Sequence, residues 1–465
     1  MERHFTPLIL ALLCLFLVVV SACTLSTNRD LPPTIVPRMT DTPLPTIAYA
    51  TLSPQQLPQP QQQINSPAVA GNLSSLLSQV ESDRMYLNID ALQRFQTRHV
   101  NSPNVPDSGI NAAYHYIHTQ LEKIQAESNG NFQVFDQSFP LTWNGLDTVQ
   151  NNIVGLIGGQ AIGGGVIVIG AHYDSISIDP NDGTYYAPGA DDNGSGVAAL
   201  IELSRILSTR PHRATIMLVA FSAEEVGRQG SRAFVQYLKD KNIPVNAMFS
   251  LDIIGSQTGP NGEIVDNVLR VFSEGPNDSP GTGFSSRQLA RAIQFAAANY
   301  TPQMIVSVED LIDRQGRYSD HMSFNEAGWP AVRFIEPLED RQRQHTPNDT
   351  IDDVQASYLT RATQTILAAV TSLADGPAPP QNIVLRDNGN GTRTLVWEHS
   401  PDATSYRIAL RRPGALTYNL NESFPWTGNS VDWNGFNPAL FAGVVVIAVD
   451  ANGLMGPPSA EYPIR

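Results

Sequence analysis

The sequence predicts an α/β domain, a mostly parallel mixed sheet flanked by helices, followed by a small C-terminal β-sandwich. Three observations carry this expectation. Between about residues 76 and 374, apolar runs such as VIVIG and IMLVAF alternate with longer segments of helical spacing. Uninterrupted Val/Ile/Leu runs suit strands covered on both faces, and helices between them suit parallel crossovers. DGPAPPQN, at 375–382, then ends the alternation, and short alternating strands split by turns follow it.

Taken in order, the chain opens MERHFTPLILALLCLFLVVVSAC, with Arg3 near the terminus, an apolar stretch from Leu8 to Val20 and small residues before Cys23. Length and composition read as an export signal over 1–22, with a single membrane anchor helix as the other reading. VSAC resembles the lipobox of bacterial lipoproteins, although Glu2 departs from a positive start. That resemblance implies cleavage before Cys23, a lipid on Cys23, and an exported protein held to a membrane at the bacterial cell surface or facing the periplasm. Residues 23–75 are rich in Pro, Thr and Gln and read as an extended tether.

The helices expected next are LSSLLSQVESDRMYLNIDALQRFQT and GINAAYHYIHTQLEKIQA. A hairpin follows from NFQVFDQSFPLTW and VQNNIVGLIGG. The strands GGGVIVIGAHYD, ATIMLVAFSAEE, VNAMFSLDIIG and AGWPAVRFIEP then alternate with helices that include GSGVAALIELSRILS, GSRAFVQYLKDKN and SRQLARAIQFAAANY. TIDDVQASYLTRATQTILAAVTSLA closes the domain at 374. Residues 375–465 hold Trp397, Trp426 and Trp433 and resemble a fibronectin type III module through an early-strand Trp, SYRIALRR and VVVIAVDANGLMGPPS.

Charge and cysteine usage narrow the chemistry. With 29 Lys plus Arg against 44 Asp plus Glu, the net charge of −15 repels phosphate backbones and argues against a nucleic-acid partner. Cys14 and Cys23 are the only cysteines, so a metal site here must use His, Asp and Glu.

Five stretches present such residues where apolar runs end. His172 and Asp174 lie two apart at the end of VIVIGAHYD, so both can face one way, and Asp174 can accept the second ring N–H of a ligating His172. APGADDNGSG pairs Asp191 with Asp192 before a helix; Asp191 is assigned to metals, as a carboxylate able to bridge two cations, while Asp192, Asn193 or Ser195 caps the helix. Glu224 and Glu225 follow IMLVAFS directly, so one can bind metal while the other accepts a proton from water. Asp252 sits inside the apolar FSLDIIG, where an acid is rare unless paired or metal-bound. His345, in RQHTPNDT, offers a second imidazole. Together they suffice for a two-metal hydrolytic centre, with zinc favoured by the donor types and manganese or cobalt also permitted.

In these motifs, together with YSDHMSFNEAGWPAV, the chain resembles the zinc aminopeptidases of peptidase family M28 over about 85–373. The resemblance implies the zinc peptidase fold of that family, a mixed sheet between helices. It implies two zinc ions: His172 and Asp252 complete one, Glu225 and His345 the other, and Asp191 bridges them. Glu224 is the implied catalytic base, Asp174 the aspartate behind His172, and the implied substrate a peptide with a free N-terminus. A carboxypeptidase or other amidohydrolase on the same centre, and an inactive surface-anchored binding protein, are the alternatives.

Overall fold

The structure, a computed structural model, describes residues 71–161, 164–274 and 285–465. The signal, Cys23 and the tether up to residue 70 lie outside these residues. Residues 71–75, assigned to the tether, belong to helix α1 (Gly71–Leu77), which is followed by α2 (Ser82–Gln93) and α3 (Gly109–Glu127). Among the described residues no helix is long and apolar enough to cross a membrane.

β1 (Gln133–Trp143) and β2 (Leu146–Ile157) form the expected hairpin. Its turn is Asn144-Gly145, both at positive φ (49° and 76°), the conformation whose twist matches the flanking strands. The remaining strands of the main sheet are β3 (Val166–His172), β4 (Thr215–Phe221), β5 (Ala247–Leu251), β6 (Val268–Ser273), β7 (Ile305–Glu309) and β8 (Ala331–Ile335). They lie in the order β1-β2-β4-β3-β5-β8-β6-β7. The central four, β4-β3-β5-β8, run parallel, while β2 pairs antiparallel with β4 and β6 antiparallel with β8. Neither β6 nor β7 was expected: Arg270, Ser307 and Glu309 interrupt their apolar runs, as strands toward a sheet edge allow.

Helices α4 (Gly196–Leu207), α5 (Gln229–Asp240), α6 (Ser286–Tyr300), α7 (His321–Glu326) and α8 (Ala356–Asp375) complete the domain. All of α4 except Arg205 is buried, which explains why its sequence is apolar nearly all round.

The C-terminal region folds as two antiparallel sheets. One joins β9 (Val384–Asp387), β10 (Arg393–Val396) and β13 (Ser430–Trp433); the other joins β11 (Ser405–Arg411), β12 (Phe424–Trp426), β14 (Gly443–Val449), β15 (Met455–Pro458) and β16 (Tyr462–Pro463). Trp397, Tyr406 and Trp433 fill the space between them. Strand β14 works on two fronts, because successive side chains face opposite ways. Val444, Val446 and Ala448 enter the sandwich core, while Val445, Ile447 and Val449 join the core of the main domain. Gly376 and Gly456 bring the backbones together at this seam: a Cβ on Gly456 would lie 1.9 Å from the Pro377 carbonyl oxygen. Ser372 Oγ donates to Met455 O at 2.8 Å and the Met455 N–H to Tyr300 Oη at 2.7 Å. The segment after Asp375, whose Pro/Gly composition alone reads as a linker, is thus part of a packed junction.

Candidate metal centre

The four parallel strands end side by side, and each delivers polar groups at its carboxyl end, where open α/β sheets place ligand sites. β3 ends on His172, β4 runs into Glu224 and Glu225, β5 into Asp252, and β8 into Glu336 and then the loop carrying His345. The connecting backbone is strained. Ala223, Ile253 and His345 all have φ of 60°. That is costly for a β-branched residue such as Ile253, and such strain concentrates at functional sites. Ile253 is held there by donating its N–H to Asn193 Oδ1 (3.2 Å) and accepting at its carbonyl from the Glu336 N–H (2.8 Å).

His172 Nε2 lies 3.4 Å from Asp192 Oδ1 and 3.5 Å from Asp252 Oδ1. His345 Nε2 lies 3.3 Å from Asp192 Oδ2 and 3.2 Å from Glu225 Oε2. The donor atoms of His172, Asp192 and Asp252 fall within 4.8 Å of one another, as do those of Asp192, Glu225 and His345. The two trios share Asp192, one oxygen on each side. Glu224 stands beside them, in a third such group with His172 and Glu225.

The structure thus gathers His172, Glu224, Glu225, Asp252 and His345, and corrects the bridging position. Asp191 is turned away: its Oδ1 accepts the Gly255 N–H at 2.9 Å, and Glu336 is its other partner. The carboxylate that both trios share is Asp192, which the sequence offers only as a helix cap. The physical reason is the irregular turn at 190–195, where Asp192 and Asn193 have non-helical backbone angles, so helical phase does not predict which aspartate faces the strands. At the helix start Ser195 occupies the cap position without a capping side-chain bond, and Asn193 Oδ1 accepts the Gly196 N–H at 3.1 Å. Asp349, in the HTPNDT segment, holds the turn by accepting the N–H groups of both Asp191 (2.8 Å) and Asp192 (3.0 Å).

Asp174 stands behind His172 as an ion-pair partner and has a second part as well. Its carboxylate is 3.6 Å from His172 Nδ1, outside hydrogen-bond range, and the nearer acceptor is its own carbonyl at 3.2 Å. The carboxylate also accepts the backbone N–H groups of Glu224 (3.0 Å) and Glu225 (3.1 Å), which sets the turn that presents both glutamates.

Two buried arginines were also missed. Arg333 Nη2 lies 3.1 Å from Asp252 Oδ2 and its Nη1 3.2 Å from Asp313 Oδ2. An arginine within the apolar AVRFI was as anomalous as Asp252, and that was the available signal. Arg98 donates to the carbonyls of Tyr173 (2.7 Å), Gly189 (2.8 Å) and Pro188, pinning the loop between His172 and the 190–195 turn.

Electrostatics follow from this placement. Burial opposes charge on His172, but Asp174, Asp192 and Asp252 outweigh it and hold the imidazole well above its usual pKa. Glu225 is the main cause that pushes His345 up to about 11, against burial and with Asp192. Burial raises Asp252, yet Arg333 and His172 bring its carboxyl below the usual range. Glu224 is pushed well above the usual range by burial, with Glu225, Asp320 and Asp252 adding to it and His172 opposing. Glu225 Oε1 and Asp252 Oδ1 are buried without a hydrogen-bond partner among the described residues. Imidazole and carboxylate donors with oxygens left open in this way fit divalent cations such as zinc. A cavity of about 450 Å³ opens over the cluster.

Comparison with known proteins agrees with this layout. The sequence pattern of Peptidase family M28 matches residues 152–370. A probable zinc metalloprotease of Pyrenophora tritici-repentis is 33% identical over 383 residues, spanning 73% of this chain and 77% of the relative. One from Leptosphaeria maculans is 32% identical over 380 residues, spanning 74% and 87%. In fold, the chain is similar to the LapA aminopeptidase of Legionella pneumophila (TM-score 0.51, 22% identity, 67% of this chain and 77% of that one). It is also similar to an aminopeptidase from Aneurinibacillus sp. strain AM-1 (TM-score 0.50, 18% identity, 65% and 96%). The family pattern spans the strands that carry the cluster, and with the extent of the match to these curated relatives it shows that the chain belongs to peptidase family M28.

Proposed function

We propose that the protein is a zinc-dependent peptidase that removes the N-terminal residue of peptides. The observation that carries this reading is Asp192, placed with one oxygen toward His172 and the other toward His345. His172, Asp192 and Asp252 would hold one zinc ion, and Asp192, Glu225 and His345 a second. Zinc when bound supplies Lewis acidity, lowering the pKa of water and polarising a carbonyl. The names of the curated relatives support zinc, and the fold neighbours support the aminopeptidase reading.

The chain's own contribution is proton handling and positioning. Glu224 is left over when the two trios are assigned. It lines the cavity beside both trios, where a carboxylate can take a proton from water and give it back. Glu224 accepts a proton from the attacking water and returns it to the departing amine nitrogen. Asp174 keeps Glu224 and Glu225 in register through their backbone N–H groups. Arg333 offsets the charge of Asp252, so burying that carboxylate is tolerable before a cation arrives.

Glu224→Gln tests the assignment. Zinc content by metal analysis is expected to be unchanged, while kcat on an amino-acid arylamide falls by about 100-fold to 10,000-fold. N-acetylating a peptide substrate is expected to abolish its cleavage. Equal cleavage of blocked and free peptides would move the reading to an endopeptidase or carboxypeptidase.

A further inference from the structure

The walls of the cavity over the cluster differ in charge from its floor. Every acid lining it (Asp192, Glu224, Glu225 and Asp252) belongs to the candidate metal centre. Above them the charged lining is arginine: Arg228 and Arg232 from the start of α5, Arg317 from the loop before α7, and Arg333 at the base. Arg333 is tied to Asp252 and Asp313. The other three are lightly matched. Arg228 is about nine-tenths buried; its Nη2 donates to Glu326 at 2.9 Å, and its Nη1 is buried with no partner among the described residues. Arg232 is half exposed and only 3.9 Å from the same Glu326. Arg317 donates to the neutral Gln344. Once Asp192, Glu225 and Asp252 hold cations, Glu224 is the one lining acid left outside the trios, while three guanidiniums share one carboxylate, that of Glu326.

We infer that this cavity takes a substrate carboxylate close to the scissile bond, bound by Arg228, Arg232 and Arg317. Guanidinium offers paired donors that match a carboxylate, and such charge-assisted contacts outlast competition from water best in a concave, partly buried site. The carboxylate has two chemical sources: the side chain of an acidic N-terminal residue, or the free α-carboxylate of a short peptide. The inference rests on the peptidase reading and deepens it by naming the substrate class.

The test is binding and turnover of three small peptides: Glu-Ala-amide (side-chain carboxylate only), Ala-Ala (α-carboxylate only) and Ala-Ala-amide (neither). Binding is measured by calorimetry on the full zinc-loaded chain carrying Glu224→Gln, so it does not depend on turnover. One of the two acidic peptides is expected to bind about 10-fold to 100-fold more tightly than Ala-Ala-amide, and which one it is identifies the source. Arg232→Gln and Arg317→Gln, each added to Glu224→Gln, are expected to shrink that ratio, with Arg317→Lys restoring part of it. Equal binding of all three peptides overturns the inference. So does a preference that survives both arginine substitutions, because the cations themselves would then be gripping the carboxylate. Turnover by the unsubstituted protein is read separately. Cleavage without acidic preference refutes only the inference, and no cleavage of any peptide refutes the peptidase reading while the binding ratio still decides this one.

Discussion

Asp191 and Asp192 are neighbours in the chain but belong to two different acid clusters, and the contrast shows what makes buried acids ready for metal. Asp192 joins Glu225 and Asp252 among cationic partners: His172, His345 and Arg333. Asp191 joins Glu336 and Asp349, whose partners are backbone N–H groups of Gly255, Ser256 and the 190–195 turn. Burial raises the carboxyl pKa in both clusters, but the outcomes diverge. The two histidines bring Asp192 well below its usual range. Asp191 is pushed up to about 7, and Glu336 and Asp349 well above their range, by burial and then, for those two, by Asp191. Neither burial nor acidity separates the clusters, since both have each. The supply of counter-charge does: it brings Asp192 and Asp252 below their usual range although burial keeps Glu225 raised, whereas all three acids of the other cluster are raised.

The largest effect that can break this comparison comes from its two halves. Asp192→Asn removes the oxygen charge both trios share, so zinc content is expected to drop and turnover to fall by about 1,000-fold or more. Asp191→Asn keeps an acceptor for the Gly255 N–H and can donate to Glu336, so zinc content is expected to stay at the parent level. Metal analysis of the two purified variants reads the difference directly. Equal loss of zinc in both would merge the clusters into one site and return Asp191 to the bridging role.

Much of this was visible in the sequence because the fold writes it there. Strands buried on both faces need unbroken apolar runs, so β3, β4, β5 and β8 stood out, and with them the polar residues just past their ends: His172, Glu224, Glu225 and Asp252. What stayed hidden depended on backbone direction or on pairing across strands. The irregular turn decides between Asp191 and Asp192, and no periodicity describes it. Asp174 reads as a partner for His172 by spacing, but the backbone donors from another strand end that its oxygens also accept left no trace in the sequence. Arg333 meets Asp252 only because β8 lies beside β5, with Arg333 opposite Ser250 and two residues short of Asp252. An acid and a base, each misplaced in an apolar strand, were two signals that needed the strand order to become one.

A somewhat smaller effect sharpens the role of counter-charge. Arg333→Met removes the guanidinium that joins Asp252 to Asp313, leaving His172 beside the first and Arg314 beside the second, and breaking one side of a buried pair costs about 3 kcal/mol. The loss should be greatest in protein stripped of metal by a chelator and smaller after zinc is restored, because zinc supplies positive charge beside Asp252. Urea midpoints measured with and without chelator test this. A loss that is the same in both states would mean that Arg333 serves Asp313 and the packing alone.

The smallest expected effect asks whether His321 adds to the positive charge behind Asp252. Its ring is fully buried, with Nε2 2.9 Å from the Ile312 carbonyl, Nδ1 without a partner among the described residues, and Asp313 at 3.7 Å. Burial is the main cause that pushes its pKa down to about 4, with Asp313 opposing and Arg333 assisting. Between about pH 6.5 and pH 4 the unfolded chain therefore binds a proton here that the folded chain refuses. Where the unfolded state binds more protons, stability rises with pH. His321 thus contributes stability that is whole above pH 6.5 and lost as pH falls toward 4, by about 3 kcal/mol at most. Glutamine cannot titrate and keeps a donor for the Ile312 carbonyl. His321→Gln is accordingly expected to lose less stability than the parent between pH 7.5 and pH 4.5, as read from urea midpoints at the two values. Parallel losses in parent and variant would mean that burial does not depress His321 in the folded protein, so that its ring can add positive charge beside Asp313 and Arg314.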